Sequence, residues 1–235
     1  MSSEAVPRFR HEALGVILQV RGDAGEPRLC VLAWQRPRDP FAGLWALPGG
    51  PVERGETIEQ CIRREVETRL DLAAMAHMEQ LRTYSRPDRD PMQRTIGTAY
   101  LGLVPADVDA PLPQTAGWLP VGRLPGMAFD HAEMVGDGVA RMRAKLSYTN
   151  LAFALAPARF TMATLRDLYS AALGYEVEAT NLQRVLTRRG QLTPTGERHP
   201  SGRSGGRPAA VFRFAARSLE ITDPFATLRP HGDPS

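Results

Sequence analysis

Carboxylates crowd the stretch that follows a glycine pair: Gly49 and Gly50 lead into Glu53, Glu56, Glu59, Glu65 and Glu67. Hard divalent cations take oxygen ligands, so such a set is a candidate site for one. The run is then interrupted by Thr68 and Arg69. Glu65 and Arg69 stand four apart with the acid N-terminal, a spacing that puts both on one helix face and favours an ion pair. On that reading a fixed cation replaces a bound one. On the alternative, the shifted set Glu53, Glu56, Glu59, Glu65 and Glu67 still holds a metal and Arg69 is a surface substitution.

These side chains need a loop and a helix to position them. From Thr57 the apolar residues Ile58, Cys61, Ile62, Val66 and Leu70 recur at steps of three and four, which predicts an amphipathic helix entered from PGGPVERGE. Ahead of it, 13–20 (ALGVILQV) and 28–34 (RLCVLAW) read as two strands separated by Gly22, Gly25 and Pro27. Strand-loop-helix order sets Gly49 and Gly50 at a helix N-terminus, where backbone N–H groups and the helix dipole favour a phosphate. Arg82, Arg86 and Arg89 are candidate phosphate partners, or the cations of a solvated loop. A strand at Gln93–Val104, a Pro-rich loop and a helix at Phe129–Leu146 complete an α/β sandwich. His131 is expected to pack or to stand beside a ligand, and His199 to lie in a loop.

At 235 residues the chain has room for one large domain or two modest ones. No run of about 18 apolar residues appears and the N-terminus MSSEAVPRFR lacks an apolar core, so the reading is a cytoplasmic protein without membrane span or secretory signal. Cys30 and Cys61 lie on apolar faces and fit two buried thiols rather than a disulfide or a zinc pair. Residues 1–149 carry 18 Lys/Arg against 19 Asp/Glu, net −1, whereas 150–235 carry 11 against 7, net +4. Lysine occurs once, at Lys145. A basic segment appended to a near-neutral body points toward nucleic acid, although a solvated basic face has the same composition.

That second half has its own pattern. After the apolar lead-in Leu151–Leu155, the stretch Phe160–Gly174 has Thr161 at an N-cap and Gly174 at a C′ position, with Leu165, Leu168, Tyr169, Ala172 and Leu173 on one face. A second helix, Glu178–Arg189, buries Leu182, Val185 and Leu186. A short strand at Gln191–Thr193, a Gly/Arg-rich loop from Pro194 to Pro208 and an alternating strand Ala209–Ala215 follow. Helix, helix, strand, basic loop, strand is the order of a winged helix-turn-helix. Spacing at 100° leaves Thr180, Asn181, Gln183, Arg184, Thr187 and Arg188 on the face away from the core. Arg and Gln read guanine and adenine edges in a major groove, and the wing residues Arg198, Arg203 and Arg207 suit phosphates or a minor groove.

Gly50, Glu56, Arg64, Glu65, Val66 and Leu72 stand where the Nudix box requires Gly, Glu, Arg, Glu and two aliphatic residues. The stretch resembles that box with three departures: Thr68 and Arg69 fill its two adjacent Glu positions, and Asp71 replaces its last Gly. Glu65 is then the single helix ligand left of the three that Nudix hydrolases use for Mg2+. The stretch WQRPRDPFAGLWALPGG is similar to the strand and loop that precede the box, and within it the resemblance makes Arg36, Phe41 and Trp45 candidate ligand contacts, with core packing as the other use for the two aromatics. With the winged-helix order and the segments FDHAEMVGDGVARMRAKL, FTMATLRDLY and GRPAAVFRF, nearly the whole chain is similar to the Nudix-related transcriptional regulators of NAD metabolism, NrtR. The resemblance implies a homodimeric repressor of NAD biosynthesis or salvage genes. It would bind a palindromic operator on double-stranded DNA and sense ADP-ribose or a related metabolite, without catalytic residues or a required Mg2+. The implied division is a Nudix-like ligand-sensing domain over 1–147, a winged helix-turn-helix over 148–219 and a flexible tail over 220–235. An active pyrophosphatase on ADP-ribose or nucleotide sugars is the competing reading.

Overall fold

The computed structural model describes residues 7–22, 26–70 (the last two by backbone alone), 75–200 and 208–223. A mixed sheet dominates the first part. Its centre is β1 (Arg10–Arg21), paired antiparallel with β2 (Arg28–Gln35). Two short strands, β3 (Trp45–Ala46) and β4 (Gly49–Pro51), add to β2 and β1, and the helix α1 (Ile58–Leu70) follows. The strand β5 (His77–Tyr84) forms an edge, β6 (Thr95–Val104) runs parallel to β1, and β7 (Ala116–Pro120) pairs with β2. The helix α2 (His131–Tyr148) closes this half.

Alternation along β1 sorts the two faces of the sheet. Ala13 and Ile17 pack with Cys61, Ile62 and Val66 of α1, while Leu14, Val16, Leu18 and Val20 pack with Met134, Val135, Val139, Met142 and Leu146 of α2. That is the period of two expected of a strand buried on both sides, and it makes the α/β/α sandwich. Contact on the α2 side is close: a Cβ at Gly138 would stand 2.6 Å from Val16 Cγ1. Both thiols are buried and unbridged, and burial, the largest effect, raises the Cys61 pKa to about 12.

The second part begins without a loose linker. Leu151–Ala154 is a buried 3-10 turn whose apolar side chains continue the α2-side core into the strand β8 (Phe160–Thr161) and the helix α3 (Met162–Leu173). Thr161 Oγ1 accepts from the Thr164 N–H and Gly174 takes a left-handed conformation at φ 82°, so both ends of α3 are capped as its sequence predicts. The helix α4 (Ala179–Arg188) and the strands β9 (Leu192–His199) and β10 (Ala209–Phe214) follow; β10 lies between β8 and β9. This is a winged-helix arrangement. One correction concerns the wing: Pro194–His199, expected in a loop, belongs to β9. Pro194 sits opposite Phe212 on an edge strand, where the missing N–H of proline is tolerated.

Residue 220 does not begin a loose segment either. Asn150 binds Ser218 O and the Glu220 N–H through its side-chain amide, and the amides of Thr222 and Asp223 donate to Tyr148 O. The rest of the expected tail, 224–235, lies outside the described residues. Among the described residues no helix is long and apolar enough to cross a membrane.

Candidate ligand cleft and nucleic-acid interface

The loop between β4 and α1 is tied down at two points. A reciprocal cap starts α1: Thr57 Oγ1 accepts from the Gln60 N–H while Gln60 Oε1 accepts from the Thr57 N–H. Arg64 reaches back from the helix to both oxygens of Glu56, at 2.8 and 3.0 Å, and donates to Glu65 Oε1 at 2.7 Å. The first of these contacts holds the Glu56 carboxyl down at about pKa 2. Glu65 is buried beneath Gly50, so close that a Cβ there would stand 2.5 Å from Glu65 Oε1. A Cβ at Gly49 would meet Ala13 O at 2.3 Å. The glycine pair is therefore required by close approach, Gly49 to strand β1 and Gly50 to a carboxylate.

Gly49 and Gly50 form one wall of a cleft of about 170 Å3 that Arg10, Glu12, Trp34, Arg36, Phe129 and His131 also line. Pockets that enclose a drug-sized ligand commonly measure about 300–1,000 Å3, so this volume suits a diphosphate-sized group, with the remainder of a ligand lying over the rim. The rim is aromatic. Phe129 packs edge-on against Phe41 at 4.9 Å, and the Arg36 guanidinium lies 4.7 Å over the Phe129 ring. Phe41 and Phe129 both have left-handed backbones, at φ 66° and 52°. Such conformations cost bulky residues on the order of 1–3 kcal/mol each and concentrate at ligand sites. A larger hollow of about 560 Å3 lies elsewhere, between Arg21, Asp109 and Asp167 at the seam with α3; it has neither the glycine pair nor the aromatic rim.

At the floor of the cleft, His131 Nδ1 accepts the Leu47 N–H at 3.0 Å. That bond fixes the neutral ring as the tautomer with its proton on Nε2, leaving a donor on the side away from Leu47. Burial, the dominant effect, drops its pKa to about 3. Its folded pKa lies below the ordinary value of about 6.5, so the unfolded chain binds the proton more readily and acid favours unfolding. The urea midpoint should fall as pH drops below about 6.5, before the carboxylates titrate. His131→Asn should flatten the slope between about pH 6.5 and 4.5, and an unchanged slope would show that His131 is not its source.

The predicted ligand residues divide. Arg36, Gly49 and Gly50 line the cleft, and Phe41 touches it through Phe129. Trp45 does not line it; its ring packs over Gly117 while its backbone accepts from Ala128 and so places the Phe129 loop. Arg82 is turned outward, paired with Asp137 and Glu133 and lying over Tyr84. Arg89 is an interior residue whose Nε and Nη2 grip both oxygens of Asp130 at 3.0 and 2.8 Å. These two arginines have carboxylate partners within the protein, which sequence spacing could not reveal. Glu65 is in place beneath Gly50, whereas the side chain of Arg69 lies outside the described residues. Sequence reasoning missed Arg10, Glu12 and Trp34; only the alternation of β1 and β2 carried a signal for them. Among the described residues no group of three or more His, Cys, Asp or Glu is placed to hold a metal ion, the shifted glutamate set included.

On α4 the burial pattern matches the helical spacing. Leu182 and Leu186 are buried, and Thr180, Asn181, Gln183, Arg184, Thr187 and Arg188 are all exposed. Glu178 caps the helix by accepting from the Thr180 and Asn181 amides. Arg198 is exposed on β9, while Arg203 and Arg207 lie outside the described residues.

The NUDIX domain family matches residues 10–137, and the NrtR DNA-binding winged helix domain family matches 152–214. The ADPR responsive transcriptional repressor NtrR of Acinetobacter baylyi is 26% identical over 204 residues, covering 84% of this chain and 80% of its own. The ADP-ribose pyrophosphatase of Methanocaldococcus jannaschii is 36% identical over 112 residues, 46% of this chain and 64% of its own. The crystal structure of Shewanella oneidensis NrtR complexed with a 27mer DNA superposes with a TM-score of 0.72 at 25% identity, covering 86% of this chain and 92% of that one.

Proposed function

The chain belongs to the NUDIX family, in its NrtR branch with an appended winged helix, and from that premise we propose a transcriptional repressor of NAD biosynthesis or salvage genes, released from DNA by ADP-ribose. The α4 face carries the reading: six exposed polar or basic side chains stand on the second helix of a winged helix, backed by a well-packed apolar side. Those side-chain types suit base edges and phosphates of double-stranded DNA. Acting on a palindromic operator as a homodimer, the protein would work in the cytoplasm beside its DNA.

The cleft would take the effector, its diphosphate against Gly49, Gly50 and Arg36 and its flat base over the Phe129 rim. The residues present do not fit the Mg2+ that hydrolytic Nudix domains use. Thr68 and Arg69 stand where two carboxylates are needed, and Glu65 is engaged by Arg64 beneath Gly50. Binding without turnover serves a sensor, since hydrolysis would erase its signal. The effector acts by binding the DNA-competent and DNA-incompetent forms unequally, and a coupling of about 1–3 kcal/mol suffices.

The test is a gel-shift series on fragments upstream of NAD genes, with and without ADP-ribose, alongside AMP release from ADP-ribose with Mg2+. Retardation that weakens with ADP-ribose and steeply with salt is expected. No retardation at low salt, or AMP release at about 1 per second or faster, would return the protein to the pyrophosphatase reading.

A further inference from the structure

Two cleft residues absent from any sequence expectation, Arg10 and Glu12, sit two apart on β1 and so on one face of the sheet. They pair with each other: Arg10 Nη2 lies 2.7 Å from Glu12 Oε1. The second oxygen of Glu12 faces the interior, 3.9 Å from Arg89 Nη1, too far for a hydrogen bond. Arg89 Nη1 is buried and has no hydrogen-bond acceptor among the described residues, although Nε and Nη2 of the same guanidinium are bound to Asp130. A buried charged donor left unbonded is costly, and here the Glu12 oxygen needs to move only about 1 Å to reach it. Gly97, opposite Glu12 in the β1–β6 register, leaves room for that guanidinium, since a Cβ there would stand 3.0 Å from Arg89 Nη2.

We propose that Arg10 is an anion-binding side chain of the cleft, that Glu12 takes the place of the anion on it, and that a diphosphate displaces Glu12 onto Arg89 Nη1. The transfer closes a bond between the cleft wall and Asp130, the residue that precedes α2. No side-chain hydrogen bond of Asp130 caps that helix, because its carboxylate is held by Arg89. Over its 18 residues, about 27 Å, α2 runs from the cleft to the winged helix. There Arg143 donates to Ala172 O near the end of α3, and Arg189 beyond α4 donates to Ser147 O. A change in how Asp130 is held at one end of α2 is thus delivered to the two helices of the winged helix at the other. The charged groups facing the exchange are Arg10, Arg36, Arg89 and Asp130, with the neutral His131 beside them.

This inference rests on the sensor reading for its purpose but not for its test, which uses inorganic pyrophosphate beside ADP-ribose. Calorimetric titration of the full chain should give binding about tenfold weaker in Arg10→Ala, which loses a charged hydrogen bond. Binding should be about two- to fivefold tighter in Glu12→Ala, where the competing carboxylate is gone. Hydrogen exchange in peptides covering 128–134 should slow on binding in the wild type and stay unchanged in Glu12→Ala, despite its tighter binding. Both sites are partly exposed, and Glu12→Gln with the same two readouts serves if the alanine variant does not fold. The inference is overturned if Arg10→Ala binds within twofold of wild type, if Glu12→Ala gains protection as wild type does, or if the wild type binds neither probe. Pyrophosphate binding with the expected variant effects but no ADP-ribose binding would remove the effector reading and leave this one standing.

Discussion

Arg89→Met should lower the free energy of unfolding by about 3–5 kcal/mol, the penalty for leaving a buried carboxylate without its cation. The side chains of Arg89 and Asp130 are 1% and 2% exposed, and their contact is two-pronged, so no solvent replaces the lost partner. The loss should be mostly a charge effect rather than a cavity effect, because methionine fills much of the arginine stem. Two comparisons separate these causes. Adding Asp130→Leu to Arg89→Met should recover at least half of the loss, since a buried ion pair exchanged for apolar groups is often close to neutral. Arg82→Met, which removes an exposed arginine from similar carboxylates, should cost about 1 kcal/mol or less. Urea titrations read all three, and a loss below about 1 kcal/mol for Arg89→Met would mean that the Asp130 pairing contributes little.

The contrast between Arg82 and Arg89 shows where the sequence stops being readable. Both stand in a polar, arginine-rich stretch, and nothing local distinguishes an interior cation from an exterior one; Asp130 is 41 residues away from Arg89. What local periodicity controls was readable. The apolar steps of α1, the Thr161 and Gly174 caps of α3 and the two-faced α4 follow from side-chain spacing and backbone preference alone. The strands that escaped notice are those whose pattern is weak. β3 and β4 are two and three residues long, and β5 (HMEQLRTY) buries only Leu81 and Tyr84. In the cleft, Gly49 and Gly50 were expected at a helix N-terminus but belong to β4, paired with β1 ahead of the loop that leads into α1; Arg36 was legible from the resemblance, whereas Arg10, Glu12 and Trp34 reach the cleft through sheet pairing. Trp34 lies beside Ala46 in the β2–β3 register, and Trp45 beside Gln35. The two indoles therefore fall on opposite faces, and the sequence alone could not say which one faced the ligand.

The double substitution Arg184→Ala with Arg188→Ala should reduce operator affinity by about 100-fold or more at a salt concentration where the wild type binds tightly. Each side chain is exposed on the α4 face, one turn apart, and a base-edge contact of this kind is worth about 1–3 kcal/mol. Stability should stay within about 0.5 kcal/mol of wild type, because neither residue takes part in the Leu182 and Leu186 packing. The single variants divide the roles. A residue that reads bases should lose operator affinity but little affinity for unrelated DNA, while one that holds a phosphate should lose both equally and lower the salt slope by about 0.9. Arg189 supplies the control from the next position. Its guanidinium is bound to Asp223 at 2.6 Å and to Ser147 O at 2.8 Å, turned inward to the α2 junction. Arg189→Ala should therefore lower the melting temperature, and any loss of DNA affinity should track the fraction unfolded. Should the double variant bind its operator as the wild type does, α4 would not be the recognition helix, and the wing with Arg198 would be the next surface to substitute.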